Sequence, residues 1–541
     1  MGAALGPENR EDCMAQVLGV PADVVVVGAG IAGLSAALHL AERGLRPLIL
    51  EAEPRYVGGR VAGGDVVELD GWRFRGDHGV HAIWSPYRNL QAMLARHAIR
   101  PVLVPAQEED WVYKRSAWVR RAPVGNAIRH SWIPAPFHYL NLFVRPRFLR
   151  MLDFDELLGL LPVWGGLLWG LGVDPLREGQ PLEGLWLSDL VAGWSPALRA
   201  LFIGLTRNGL AGQPEEIPLS GFVAFLRFYT LLRRDAWAFS YLPADCGTCL
   251  AEPLAAKVQA LGGRLEMGVR VTGLERQGEA WRVHSQRGEA EAGQVEARHV
   301  VLATDAPNTA AILRASPEPA FAAHDIYWPR GMATAVIRLW FDREPRGGAE
   351  AGILSGDLIP DNFFWLHRIQ DPFVRWHRAT GGSAVEVHIY GPSTVLAEPD
   401  AVLLAQTIAD LQSVFPELRG HQIHHELRRN QPTHTLLSVG PAGRHLGVET
   451  PWPGLACCGD WVRHPSPAFF MERACVTGIE AANAVLRAHT IPAWPLLDPP
   501  PPERLAGWIE WLMQRGRRAL RRGRQARGAQ QTSTRKPLTG P

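Results

Sequence analysis

The sequence predicts an α/β fold in which a Rossmann-type domain is joined to a second domain. Three observations predict it. The β-branched run DVVVV at residues 23–27 passes straight into the glycine turn GAGIAG, then the helical stretch LSAALHLAERG, then a second strand, LRPLILE. At 541 residues the chain is too long for one ordinary core, so two domains with appendages follow. Hydrophobic residues at 47% and charged residues at 20% exclude both a disordered chain and a polytopic membrane protein.

The glycines of the turn have separate roles. Gly28 permits the tight turn, Gly30 lets bare backbone approach a pyrophosphate, and Gly33 allows close helix packing, so the helix N-terminus faces the phosphates of a dinucleotide. Glu51 closes the second strand, where a carboxylate accepts hydrogen bonds from a ribose and repels the extra phosphate of NADP. The chain continues AEPRYVGGRVAG from Ala52, and Gly58, Gly59 and Arg60 bring a second bare-backbone approach and a cation to the same pyrophosphate. The GxGxxG fingerprint alone leaves NAD and FAD open.

The GGR element resembles that of the flavin amine oxidase and carotenoid desaturase superfamily, and the resemblance implies FAD in a flavoprotein of the two-dinucleotide-binding-domain type. Three later segments match the superfamily in order. In residues 241–276 the resemblance sets Val271 against adenine, and HVVLATDAP follows as the strand returning to the Rossmann sheet. GLACCGDWVRHPSPAFFMERACVTGIEAANAVL then sets Asp460 on the flavin side of FAD and backbone near Met471 against the isoalloxazine. The matches run from residue 23 to 486 with strong motifs at both ends, which implies an interleaved protein. An FAD-binding domain is expected from residues 21–104, 240–310 and 441–488, and an α+β substrate-binding domain from 105–239 and 311–440. Residues 1–20 form an extension, and 489–541 a Pro-rich hinge and basic tail.

Within the superfamily, residues 70–94 match carotenoid desaturases at Gly79, His81, Tyr87, Asn89 and Leu90. RLWFDREP, WLHRIQDPFVRWHRATGGSAVEVHIY and GDWVRHPSPAFFMERA are similar to isorenieratene synthase-type carotene desaturases, which aromatise a carotenoid ring while moving a methyl group. The resemblance implies an FAD-dependent oxidoreductase that removes hydride from a lipophilic isoprenoid. His81, Trp461 and Arg463 are the expected lining of the reactive end. The runs SWIPAPFHYLNLF and LLGLLPVWGGLLWGLGV are candidates for a substrate tunnel, with an ordinary helical core as the even alternative. A flavin amine oxidase is the first rival. Many such enzymes hold a lysine near the reactive flavin nitrogen, whereas the only lysines here are Lys114, Lys257 and Lys536. A non-redox carotenoid isomerase or an FAD-containing binding protein is the second rival.

From Glu503 onward ten basic residues meet two acidic ones, while the remaining body has 46 basic and 52 acidic residues. This is not the basic folded face of a nucleic-acid binder. In the tail Leu505, Trp508, Ile509, Leu512, Gly516, Ala519 and Leu520 share one helical face, and seven arginines between residues 515 and 527 crowd the rest. That pattern predicts a helix lying peripherally on an anionic membrane, or else a basic helix docked on the acidic body. Residues 157–173 carry no charge, but Pro162 and five glycines interrupt them, so a lid or membrane-dipping patch is expected. The six cysteines are too sparse for a disulfide scaffold and read as reduced thiols of a cytoplasmic protein at the inner face of the membrane. Residues 1–20 lack the apolar core of a secretory signal. No metal is expected, since neither Cys246-x-x-Cys249 nor His39 has a ligand setting. The oligomeric state stays open.

Overall fold

The computed structural model describes residues 22–178, 182–288, 291–318, 325–435 and 444–533, the last thirteen as backbone only. The extension at 1–20, Cys13 and Lys536 lie outside the described residues.

In chain order, the elements that position the site begin with β1 (Val24–Val27), α1 (Ile31–Ala41) and β2 (Pro47–Glu51), followed by α2 (Arg88–Arg96). Next come β3 (Glu109–Arg115), β4 (Trp118–Pro123), α3 (Leu160–Leu171), α4 (Pro196–Leu210) and α5 (Leu219–Leu226). Then follow β5 (Arg264–Met267), β6 (His299–Leu302), β7 (Gly331–Phe341), β8 (Ala351–Gly356), β9 (Asn362–Trp365) and β10 (Ser383–Ile389). The chain ends with α6 (Asp400–Val414), β11 (Gln422–Thr435), β12 (Leu455–Cys457), α7 (Phe470–Ala488) and α8 (Arg504–Ser533).

The first sheet has the order β5-β2-β1-β6-β12, every pair parallel. Its strands come from three separated stretches of chain. β1 is wholly apolar and buried on both of its faces, as a strand inside a covered parallel sheet is. α1 crosses α7 at very short range, since a Cβ on Gly478 would stand 2.4 Å from the Ala32 carbonyl oxygen.

The second sheet, β11-β7-β10-β9-β8-β3-β4, is antiparallel except between β8 and β3. Strand alternation gives it two characters. Val385, Val387 and Ile389 of β10 pack with Ile337 and Leu339 of β7 and with Leu403 and Leu411 of α6. The other face carries Glu386 and His388, which stand in register with Arg338 and Val336 of β7 and with Phe364 and Asn362 of β9.

The interruption expected in the apolar run is present at Gly159, and the face expected of the tail changes. Phe154–Leu171, alone among the described residues, has the length and composition of a membrane-crossing helix, but Gly159 divides it. The twelve residues of α3 span roughly 18 Å, short of a ~30 Å hydrocarbon core. In the tail, α8 docks through Ala506, Ile509, Glu510, Met513 and Arg517, a face offset from the expected apolar one. Gly172 leaves the gap that Met513 fills, Glu510 pairs with the buried Arg227, and Arg517 meets Glu178 at 2.9 Å. The docked face is set by the carboxylate that Arg227 requires. Trp508, Trp511, Leu512 and Leu520 stay exposed, and the side chains of the arginines beyond residue 520 lie outside the described residues.

Candidate active site

Missing side chains shape the nucleotide end of the site. Gly28 turns with φ +101°, a backbone that L side chains rarely adopt. Gly33 lies directly beneath it, and a Cβ there would stand 2.0 Å from the Gly28 carbonyl oxygen. Gly58 forms a β-bridge with Gly30, so two bare stretches of backbone meet. Glu51, at the end of β2, accepts the Ala29 N–H at 2.6 Å through one oxygen and the Glu53 N–H at 2.8 Å through the other. Burial raises its carboxyl above the usual range in spite of these bonds. Each oxygen keeps a lone pair for a ribose hydroxyl. Arg60 Nη2 lies 2.7 Å from Asp460 Oδ1, joining residues 400 apart in sequence. Burial works against the Asp460 charge, but Arg60 prevails and holds the carboxyl below its usual range.

These groups open on a cavity of 1050 Å³ that continues to the polar face of the second sheet. Gly28, Gly30, Glu51, Ala52, Gly58, Gly59, Arg60, Val271, Asp460 and Met471 line its nucleotide end, and Gly33 packs behind them. His81 is also on the wall, with Nδ1 2.6 Å from the Gly79 carbonyl oxygen. Trp461 and Arg463, expected at the reactive end, are not on the wall. The Trp461 indole turns away, donating Nε1–H to Thr304 O at 2.9 Å and stacking on His445, and the Arg463 N–H is taken by Leu446 O.

The two tunnel candidates do not line the cavity either. Val163, Leu167 and Leu171 of α3 are buried in the main core instead, the helical-core alternative. The wall comes from Leu205 and Asn208 of α4, Phe225 of α5, Tyr229 just beyond it, and Trp84, Trp237 and Phe239. The Trp84 ring lies 4.3 Å from Phe239 and 4.8 Å from Tyr229. The floor is Ile353, Asn362, Phe364, His388 and Tyr390. In SAVEVHIY the alternation of Glu386, His388 and Tyr390 with Val385, Val387 and Ile389 is the period-two signal that marks the floor residues. The helical wall residues carry no comparable signal.

The model of the family described as flavin containing amine oxidoreductase matches residues 195–486, more than half of the chain, and that of an NAD(P)-binding Rossmann-like domain matches residues 26–97. The chain belongs to the flavin containing amine oxidoreductases. It is an FAD-dependent oxidoreductase. The carotenoid phi-ring synthase of Streptomyces griseus is 29% identical over 491 residues, covering 86% of this chain and 87% of that protein. The carotenoid phi-ring synthase of Chlorobaculum tepidum is 24% identical, covering 90% and 92%. Among solved structures, the cyclohexylamine oxidase from Brevibacterium oxydans shares the fold with a TM-score of 0.64 at 17% identity, over 87% of this chain and 100% of that one.

The residues of this flavin amine oxidoreductase fit FAD. Bare backbone at Gly30 and Gly58 suits a pyrophosphate, and Glu51 has lone pairs left for a ribose. His78 and His434 are on the cavity wall, where His78 Nδ1 and His434 Nε2 are buried without a protein partner. Burial lowers them to about 3 and about 4, so both rings are neutral and free to bond the heteroatoms of a polar ring system. Among the described residues no lysine lines the cavity. Lys114 sits on the α6 side of β3, 2.7 Å from Asp410, and Lys257 is exposed. Burial pushes the Cys246 thiol up and that of Cys249 to about 11, so neither is a thiolate at neutral pH.

A buried ionic cluster lies behind the floor. Arg338 reaches Glu386 at 2.7 Å, Glu426 at 3.0 Å and Asp77 at 3.1 Å. Burial and the neighbouring Glu386 raise Asp77 to about 7. For Glu386, burial opposes the charge, but Arg338 and the His388 hydrogen bond outweigh it and hold the carboxyl at about 2. Glu386 is therefore the ionised member of the pair.

Proposed function

We propose that this FAD-dependent oxidoreductase dehydrogenates a lipophilic isoprenoid of the carotenoid class. The observation that carries the reading is the cavity wall, mainly aromatic and aliphatic on the helical side and, among the described residues, without a lysine. Bound FAD supplies the hydride acceptor that an unactivated C–H bond requires. The chain's own residues hold the cofactor through the glycine backbone, Glu51, Arg60, Val271 and Asp460. The ring faces of Trp84, Phe225 and Tyr229 bind an apolar chain, exclude water and stabilise positive charge on the reacting carbon. The two phi-ring synthases, similar over most of their length, support the carotenoid class.

The same reading assigns residues 21–104, 240–310 and 441–488 to cofactor binding and 105–239 and 311–440 to substrate binding. The first group supplies the parallel sheet and the second the seven-stranded one. It also sets the protein at the inner face of a membrane, from which it draws its substrate, with exposed apolar side chains on α8 and near α3 as contacts. Anaerobic mixing tests the function. Vesicles carrying β-carotene or 15-cis-phytoene are expected to bleach the oxidised flavin stoichiometrically, and cyclohexylamine to leave it unchanged. Bleaching by the amine alone would restore the amine oxidase reading, and an isomerised carotenoid beside oxidised flavin would establish an isomerase.

A further inference from the structure

We propose that Tyr390, backed by His388 and Glu386, takes up the proton released as the substrate double bond forms. This rests on the dehydrogenase reading. Two adjacent C–H bonds break in such a step. One leaves with its electron pair to the bound flavin as hydride, and the other leaves as a proton while its electrons become the new π bond. The proton needs an acceptor inside a cavity that excludes water.

Strand alternation puts the three side chains on the cavity face of β10 and its exit. A carboxylate only accepts hydrogen bonds, so the 2.7 Å contact from Glu386 Oε1 to His388 Nε2 places the imidazole proton on Nε2. Nδ1 is thereby left as an acceptor, and Tyr390 Oη lies 2.8 Å from it. Asn362 Oδ1 accepts the backbone N–H of His388 at 3.1 Å, and Asn362 Nδ2 lies 3.3 Å from the ring nitrogen Nδ1. Glu386 is itself held by the Val80 N–H at 2.6 Å and Arg338 Nε at 2.7 Å. The His388 ring presses on the strip leading to His81, because a Cβ on Gly79 would stand 2.8 Å from Nε2. His81 donates its Nδ1–H to the Gly79 carbonyl, so it has no carboxylate behind it of the kind that Glu386 gives His388.

The transfer balances without a further reactant. The substrate proton bonds to Tyr390 Oη as the phenol proton moves to His388 Nδ1, and Glu386 neutralises the imidazolium. Tyr390 is the catalytic residue of the set, and His388 and Glu386 act through it.

Tyr390→Phe keeps the ring and removes the hydroxyl, and His388→Asn replaces the imidazole by an amide that accepts a hydrogen bond but not a proton. In the holoenzyme, both variants are expected to retain FAD and to bind vesicle-borne β-carotene or 15-cis-phytoene as the wild type does, read by quenching of tryptophan fluorescence. Double-bond formation should fall about 100-fold. Deuterium on the two carbons that the new double bond joins should slow Tyr390→Phe more than the wild type, a change that a merely structural tyrosine would not produce. A wild type that oxidises the carotenoid, matched in rate and isotope effect by both variants, overturns the relay alone. So does a rate loss that only follows lost FAD or lost carotenoid binding. A wild type that oxidises neither carotenoid removes the dehydrogenase reading and the relay with it.

Discussion

At the scale of single residues, Glu51 serves two structures at once. Its oxygens hold the Ala29 and Glu53 N–H groups, which fixes the glycine turn, and their remaining lone pairs face the cavity. Glu51→Gln keeps one accepting oxygen, whereas Glu51→Arg removes both and brings a cation to the ribose position. Flavin released on denaturation should be near normal for Gln and largely lost for Arg, with a stability loss of about 1–3 kcal/mol for each N–H left unpaired. Equal FAD content in the wild type and Glu51→Arg would show that the ribose lies elsewhere. Glu51 and the turn glycines were legible in the sequence because a backbone constraint admits few residue types. The direction of Trp461 was not, since it depends on the Thr304 carbonyl, brought near only by the fold.

Elements carry a different kind of information. Gly478 lets α7 cross α1 and Gly33 lets α1 start beneath the glycine turn; both obstructing atoms are backbone carbonyl oxygens, that of Gly28 at 2.0 Å from a Cβ on Gly33 and that of Ala32 at 2.4 Å from one on Gly478. Backbone cannot yield as a flexible side chain does. Gly33→Ala and Gly478→Ala should each lower stability by about 1–3 kcal/mol or more, measured by urea unfolding, and Gly33→Ala should also lose FAD because the Gly28 carbonyl must move. An unshifted urea midpoint in both would mean that the backbone of the turn and of the helix crossing yields freely. β1 and β2 were readable from the runs DVVVV and LRPLILE, and β5, β6, β12 and α7 through the resemblance of their segments to the superfamily. The cavity wall was not. An apolar helix shows the same pattern whether its face meets a core or a cavity, so residues 157–173 suggest a tunnel lining that α4 and α5, which the sequence does not single out, supply instead.

For the whole molecule, the membrane proposal turns on α8. α8 has two working faces. Glu510 and Arg517 tie one to the body, while Trp508, Trp511 and Leu512 stand exposed on the other beside Arg515 and Arg518. Tryptophan with arginine is the composition that binds an anionic interface, by apolar insertion and attraction to phosphate. Removing the whole tail is a poor test, because it strips the buried Arg227 of Glu510 and destabilises the body. Substituting Trp508, Trp511 and Leu512 by Ser leaves the docked face whole. Full-length protein should sediment with vesicles containing anionic lipid and be partly released by high salt, which shortens the reach of the arginine charge. The triple variant should sediment less and keep its FAD, since the cofactor end of the cavity has no residue from α8. Equal binding by the variant would move the contact to Phe154, Leu158 and Leu161, which are exposed near the start of α3, and binding by neither form would end the membrane proposal.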